Sequence, residues 1–125
     1  MYIIAVDSHF ASSHQIVGYD GKCSNMHGHT WKIKVEVKTD KVDEIGICYD
    51  FKKLKELINT IVDDLDHQNL NQLLPFKDKN PTAENIAYFL YHEIEKILPD
   101  EVTMHQITVW ESEKYSVIYK EDCYY

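Results

Sequence analysis

The sequence contains no arginine, so all 13 of its basic residues are lysines. A phosphate on a ligand would therefore be held by lysine ammonium groups, backbone N–H groups, a helix N-terminus or a metal ion, because the bidentate guanidinium contact is missing. Acidic residues number 21, and the formal net charge is −8. This charge argues against a nucleic-acid partner, since phosphate contacts dominate that kind of binding.

Cysteines and long apolar runs are also scarce. The three cysteines show no paired spacing, which fits a reducing cytoplasm better than a disulfide framework. No stretch approaches the roughly 20 apolar residues of a membrane span, so no membrane partner is expected. The apolar run 2–6 is too short for a signal-peptide core and is broken by Asp7. We expect a cytoplasmic protein whose 125 residues form one domain, 1–125.

The segment Cys23-Ser-Asn-Met-His27-Gly-His29 holds a thiol and two imidazoles. If a strand begins here, His27 and His29 point to the same face, because side chains alternate along a strand. His14 offers a third imidazole upstream, and three imidazoles are a known ligand set for catalytic zinc with an open fourth position. We therefore predict a Zn²⁺ site. Two alternatives stay open: these are ordinary polar histidines near a strand end, or Cys23 closes a structural zinc site.

The hydrophobic pattern predicts the element order ββααββ. The strands are predicted over 2–10, 29–38, 102–110 and 115–120, and the helices begin after the candidate N-caps Asp50 and Thr82. Long loops are expected over 11–26 and 68–79. Strands, then helices, then strands predict an α+β fold, with a four-stranded antiparallel sheet and two helices on one face. Such a sheet leaves edges and one face open, which favours a homo-oligomer with sites at subunit interfaces.

Two further positions offer acid–base or binding groups. Asp66 and His67 fall where the first helix is expected to end, so the helix dipole could account for a protonated His67. Alternatively, Asp66 orients His67 so that it takes a proton from a thiol such as Cys23. Glu111 follows the buried parity of its strand, where a carboxylate is unusual unless paired. It either forms a salt bridge with a lysine or recognises a ligand with two adjacent N–H donors.

Six segments resemble one enzyme family, the 6-pyruvoyltetrahydropterin synthase / 6-carboxytetrahydropterin synthase family. They are FASSH (10–14), CSNMHGHTW (23–31), YDF (49–51), LDHQNLN (65–71), NPTAENIA (80–87) and VWES (109–112). The resemblance covers nearly the whole chain. It implies the tunnelling fold, in which ββααββ subunits join their sheets into a barrel and typically form a homohexamer, a dimer of trimers.

The resemblance also implies roles for individual residues. The implied Zn²⁺ ligands are His14, His27 and His29. The implied catalytic groups are Cys23 as proton acceptor, Asp66 and His67 as its relay, and Glu111 as the anchor of the pterin ring. Thr82 of a neighbouring subunit would assist in binding the pterin.

Spacing within the family indicates a product. The bacterial 6-carboxy enzymes of queuosine synthesis have Cys-x3-His-Gly-His, as here, whereas the animal pyruvoyl enzymes have a longer gap. A third branch, which releases 6-hydroxymethyl-dihydropterin for folate synthesis, tends to replace or displace the cysteine with glutamate. The resemblance thus implies a carbon–carbon lyase that converts 7,8-dihydroneopterin triphosphate to 6-carboxy-5,6,7,8-tetrahydropterin, acetaldehyde and triphosphate. The alternatives are a 6-pyruvoyl product and a non-catalytic protein that binds zinc or a pterin.

Overall fold

A computed structural model of the chain describes residues 1–18 and 25–121. Its elements are β1 (Tyr2–His14), β2 (His27–Thr39), α1 (Phe51–Val62), α2 (Ala83–Ile97), β3 (Thr103–Ser112) and β4 (Tyr115–Tyr119). Two short 3₁₀ helices, Leu70–Gln72 and Leu74–Phe76, lie between α1 and α2, inside the segment predicted as a long loop. The predicted order ββααββ is confirmed.

The four strands form one antiparallel sheet in the order β1-β2-β3-β4. Strands β1 and β2 pair over their whole length, from Tyr2 opposite Thr39 to His14 opposite His27. Both strands are longer than predicted, and residues 11–14 belong to β1, not to a loop. The alternation of apolar side chains fails there because the added residues are small or polar, although their backbone groups still pair. This extra pairing brings the predicted metal ligands together.

The core lies between the sheet and the two helices, which pack on one sheet face as predicted. Fully buried side chains come from three of the strands and from both helices, and they include Phe10, Trp31, Ile33, Leu54, Ile58, Leu90 and Ile107. Burying one such aliphatic side chain contributes about 1.5–3 kcal/mol relative to leaving it exposed. The packed helices therefore hold the sheet, and with it the strand ends that form the site.

Both predicted N-caps are confirmed. The Asp50 carboxylate accepts two backbone N–H groups from the first turn of α1, and the Thr82 hydroxyl accepts one from the first turn of α2. The predicted end of α1 is wrong, because the helix stops at Val62 and residues 63–67 form tight turns. Two aspartates, at 63 and 64, follow the last helical residue, where the helix dipole disfavours negative charge.

The hairpin between β3 and β4 is tighter than predicted. Its turn consists of Glu113 and Lys114 alone, so Glu111 lies inside β3. The register shifts between Trp110 and Ser112, which places a β-bulge at Glu111. Bulges re-aim a side chain locally and often lie beside functional sites. Here the Glu111 carboxylate lies beside His29, near the start of β2.

Candidate metal and acid–base site

Three histidines meet where β1 ends and β2 begins. His14 is the last residue of β1, and His27 and His29 are the first and third residues of β2. Their ring centroids are 4.6 Å apart for His14 and His27, 5.1 Å for His14 and His29, and 4.6 Å for His27 and His29. The prediction that His27 and His29 share one face is confirmed, and the structure brings the ring of His14 to both of them. Strand pairing brings His14 next to His27, and strand alternation places His29 on the same face as His27.

Hydrogen bonds to backbone carbonyls orient two of the rings. Nδ1 of His14 lies 2.8 Å from the Pro81 carbonyl oxygen, and Nδ1 of His27 lies 2.7 Å from that of Asn25. A carbonyl oxygen only accepts, so each Nδ1 carries the proton and each neutral ring keeps its lone pair on Nε2. The two Nε2 atoms face each other at 3.1 Å. Two lone pairs at that distance repel each other unless a proton or a metal ion bridges them, and metal-binding histidines commonly donate their other N–H to a carbonyl.

His29 provides the third nitrogen. Its Nε2 is buried and forms no hydrogen bond within the described residues. Leaving a buried polar atom unpaired costs about 1–3 kcal/mol, so we expect His29 Nε2 to bind a ligand or a metal ion. Glu111 Oε1 lies 3.4 Å away as an ion-pair contact. The ligand atoms of the three histidines and Glu111 all lie within 4.8 Å of one another.

This donor set fits zinc. Imidazole nitrogens and a carboxylate oxygen are normal Zn²⁺ ligands, and three histidines leave a coordination position for substrate or water. Burial lowers the pKa of His14 and also lowers that of His29, while Glu111 opposes the shift in both. Both rings are therefore held in the neutral form that binds a metal. Trp31 packs edge-on against the same two rings, with centroids 5.0 and 5.3 Å away, and forms an apolar floor.

Sequence reasoning did not place Glu111 beside the histidines. It predicted either a lysine partner or a ligand; among the described residues, Glu111 forms its ion pair with His29 and not with a lysine. The buried-side parity of Glu111 was the available signal. The register of β3 on β2 and the bulge at Glu111 decide the contact, and neither is visible in the sequence.

Asp66 and His67 form the predicted pair, with His67 Nδ1 3.0 Å from Asp66 Oδ2. Both residues are fastened to β1. Asp66 Oδ1 accepts the Ala11 N–H at 2.9 Å, and the His67 N–H donates to the Ala11 carbonyl at 2.6 Å. The Ala11 hydrogen bond, assisted by His67, lowers the pKa of Asp66, which stays ionised and orients the ring. Because α1 ends at Val62, the helix dipole does not explain His67.

The backbone of His67 lies in the left-handed region, with φ at 55°, and its side chain is 83% exposed. A non-glycine residue is rarely held there, and such positions cluster at functional sites. Ala11, to which the pair is attached, precedes His14 by three residues, or roughly 10 Å of extended strand. Within residues 1–18 and 25–121, no contact joins the pair to the histidine cluster. One chain therefore presents two separate groups.

Two predicted site residues remain without structural support for their roles. Cys23 lies outside the described residues. Thr82 caps α2, which accounts for its hydroxyl without any ligand.

Comparison with known proteins identifies the family. The family model described as 6-pyruvoyl tetrahydropterin synthase matches residues 3–122. The chain belongs to that family. A dihydroneopterin monophosphate aldolase from Pyrococcus furiosus is 37% identical over 92 residues, which cover 74% of this chain and 75% of that protein. A putative 6-carboxy-5,6,7,8-tetrahydropterin synthase from Archaeoglobus fulgidus shows the same identity and the same coverage.

Solved structures agree with this membership. The 6-pyruvoyl tetrahydropterin synthase of Caenorhabditis elegans superposes with a TM-score of 0.85 at 28% identity and covers 98% of both chains. The predicted tunnelling fold of the 6-pyruvoyl tetrahydropterin synthase family is thereby confirmed. The relatives carry three different activity names, so membership establishes pterin chemistry and not its product. No helix among the described residues is long and apolar enough to span a membrane.

Proposed function

We propose that the protein is a zinc-dependent 6-carboxy-5,6,7,8-tetrahydropterin synthase of queuosine biosynthesis. Its substrate would be 7,8-dihydroneopterin triphosphate, and its products 6-carboxy-5,6,7,8-tetrahydropterin, acetaldehyde and triphosphate. The observation that carries the proposal is the convergence of three imidazoles, two of them oriented by backbone carbonyls, in a chain of this family. The Cys-x3-His-Gly-His spacing supports the 6-carboxy branch, as does the Archaeoglobus relative of that name.

The histidines would hold zinc through their Nε2 atoms. Bound zinc would supply Lewis-acid catalysis by polarising oxygens of the substrate side chain. The carbonyls of Asn25 and Pro81 keep His27 and His14 in the tautomer that offers Nε2. Burial lowers the pKa of His14 and that of His29, so fewer protons compete with a metal ion for these two rings.

Cys23 would act as the base. As a thiolate it would remove a proton from the substrate side chain, and the electron pair would pass into the ring imine, so no nicotinamide is required. Asp66 holds Nδ1 of His67, which leaves the second ring nitrogen to exchange a proton with the thiol. The role of Cys23 rests on the sequence motif.

The exposure of His67 supports a shared site. Its ring is exposed at the outer edge of β1, well separated from the proposed zinc ligands of its own chain. We propose that the pair serves a neighbouring subunit in a homohexamer in which Thr82 also contacts the pterin. Sedimentation analysis would measure the assembly, and mixing inactive His67→Ala and Cys23→Ala chains should restore part of the activity in mixed oligomers. A monomer with full activity would contradict this arrangement.

Glu111 would anchor the pterin. Its carboxylate can accept two adjacent N–H groups from the ring edge, and such charge-assisted pairs fix orientation as well as affinity. Its position beside His29 would hold the pterin next to the zinc.

The test is product analysis. Zinc-loaded protein is incubated with 7,8-dihydroneopterin triphosphate, with and without a chelator, followed by mass analysis of the pterin and an acetaldehyde assay. We expect 6-carboxytetrahydropterin and acetaldehyde in equal amounts, and neither after chelation. A 6-pyruvoyl product without acetaldehyde would be consistent with the proposed zinc site but would contradict the 6-carboxy branch. Tight pterin binding without turnover would indicate a binding protein.

A second candidate activity comes from the Pyrococcus relative, whose name is dihydroneopterin monophosphate aldolase. An activity of that kind would release 6-hydroxymethyl-dihydropterin. The retained Cys23 favours the 6-carboxy reaction over it. The same assay with the monophosphate as substrate separates the two activities, because only the aldolase leaves a hydroxymethyl group on the ring.

A further inference from the structure

Two asparagines pair with the backbone that follows His14. Asn71 Oδ1 accepts the Gln15 N–H at 2.8 Å, and Asn71 Nδ2 donates to the Gln15 carbonyl at 2.9 Å. Asn80 makes the same pair of bonds with Val17, at 2.9 and 2.8 Å. Each side-chain amide therefore replaces the N–H and C=O that a neighbouring strand would offer.

This replacement occurs just past the last strand pair that the described residues show. Within residues 1–18 and 25–121, the ladder between β1 and β2 stops at His14, and on the outer edge the last backbone bond of β1 is from the Ser13 N–H to the Gln68 carbonyl. Strand ends fray when nothing pairs with them. The zinc ligand His14 stands at this end, so its backbone depends on what holds residues 15–17.

The Asn80 loop also holds the ring of His14. The next residue, Pro81, provides the carbonyl that accepts the Nδ1 proton of His14. The Asn80 carbonyl in turn accepts the side-chain N–H of Asn85, which fastens the loop to α2. One short loop thus fixes both the imidazole and the backbone that follows it.

We propose that Asn71 and Asn80 are positioning residues that form an amide clamp and set His14 Nε2 for metal binding. The inference rests on the proposed zinc site and extends it to two residues that touch neither metal nor substrate. Loss of groups that orient metal ligands typically costs 10–100-fold in metal affinity. Asn80 should matter more than Asn71, because its loop also supplies the Pro81 carbonyl.

The test compares zinc affinity among folded variants by competition with a chromogenic chelator. The variants are Asn71→Ala, Asn80→Ala and the double substitution, and Asn59→Ala is the matched control. Asn59 accepts a hydrogen bond from Ser8 at 2.8 Å, so its loss removes a comparable contact between a strand and α1 without touching residues 15–17. We expect zinc to bind the double variant about tenfold or more weakly. The control should keep the affinity of the unsubstituted chain.

A second readout separates positioning from general stability. With saturating zinc, the double variant should recover most of its kcat, and its Co²⁺ absorption spectrum should regain the shape seen with the unsubstituted chain. Unchanged zinc affinity in the double variant, with only a lower Tm, would contradict the proposed amide clamp but not the proposed zinc site. If the double variant does not fold, the Asn71→Asp and Asn80→Asp chains, which keep the acceptor oxygen and lose the donor, decide by the same affinity measurement. Absence of zinc binding by the unsubstituted chain would overturn both proposals.

Discussion

Substitution of Glu111 by glutamine separates two functions that its position allows. Its Oε1 lies 3.4 Å from His29 Nε2, so it could either complete the metal site or hold the pterin beside it. Glutamine keeps the size of the side chain but removes the charge and one of the two acceptors. Hydrogen bonds to charged groups contribute about 1.5–3 kcal/mol each. Loss of about 3 kcal/mol would raise the Kd for the pterin about a hundredfold.

Zinc affinity should change little in Glu111→Gln, because three imidazoles remain. Pterin binding would be measured by fluorescence titration and zinc binding by chelator competition, with Glu113→Gln in the exposed turn as the control. The control removes the same charge two residues away and should change neither affinity. If Glu111→Gln lost zinc about tenfold or more and bound pterin normally once reloaded, the carboxylate would be a metal ligand and not the pterin anchor.

Further predictions concern the metal, the base and the relay. Substituting His29 with alanine should abolish zinc binding measured by metal analysis, and retained zinc would exclude it as a ligand. Cys23→Ala should lose turnover but keep zinc, whereas Cys48→Ala, which changes a half-buried thiol, should keep both. Asp66→Asn should lower kcat with little change in KM and alter the pH profile of kcat, and an unchanged profile would count against a relay. Folding lowers the pKa of His14 below its usual 6.5, so the unfolded chain binds more protons below that pH. The metal-free protein should therefore lose stability to urea as pH falls below about 6.5 and show no such loss above it; a rise in stability on acidification would contradict that burial effect.

The sequence predicted the fold well because its core obeys simple periodicities. In β2 the apolar residues alternate, and after Asp50 and Thr82 they follow helical spacing. Both patterns arise because one face of each element is buried, so they are visible in the sequence. The histidine cluster was predictable for a related reason, since spacing of two residues in a strand places His27 and His29 on one face.

Features that depend on pairing register were not predictable. The end of β1 is built from small and polar residues, and the match of His14 with His27 is set by the backbone ladder. The contact of Glu111 with His29 depends on a bulge that nothing in the local sequence signals. The place of the Asp66 and His67 pair likewise depends on Ala11, which is distant in sequence.

Titration of the metal-free protein with zinc, while pterin and acetaldehyde are both measured, tests most directly whether the protein is a zinc-dependent 6-carboxytetrahydropterin synthase. We expect 6-carboxytetrahydropterin and acetaldehyde to rise together and to stop rising when each chain holds a single zinc ion. Full turnover in the absence of metal, or a filled zinc site that never yields either product, would contradict it.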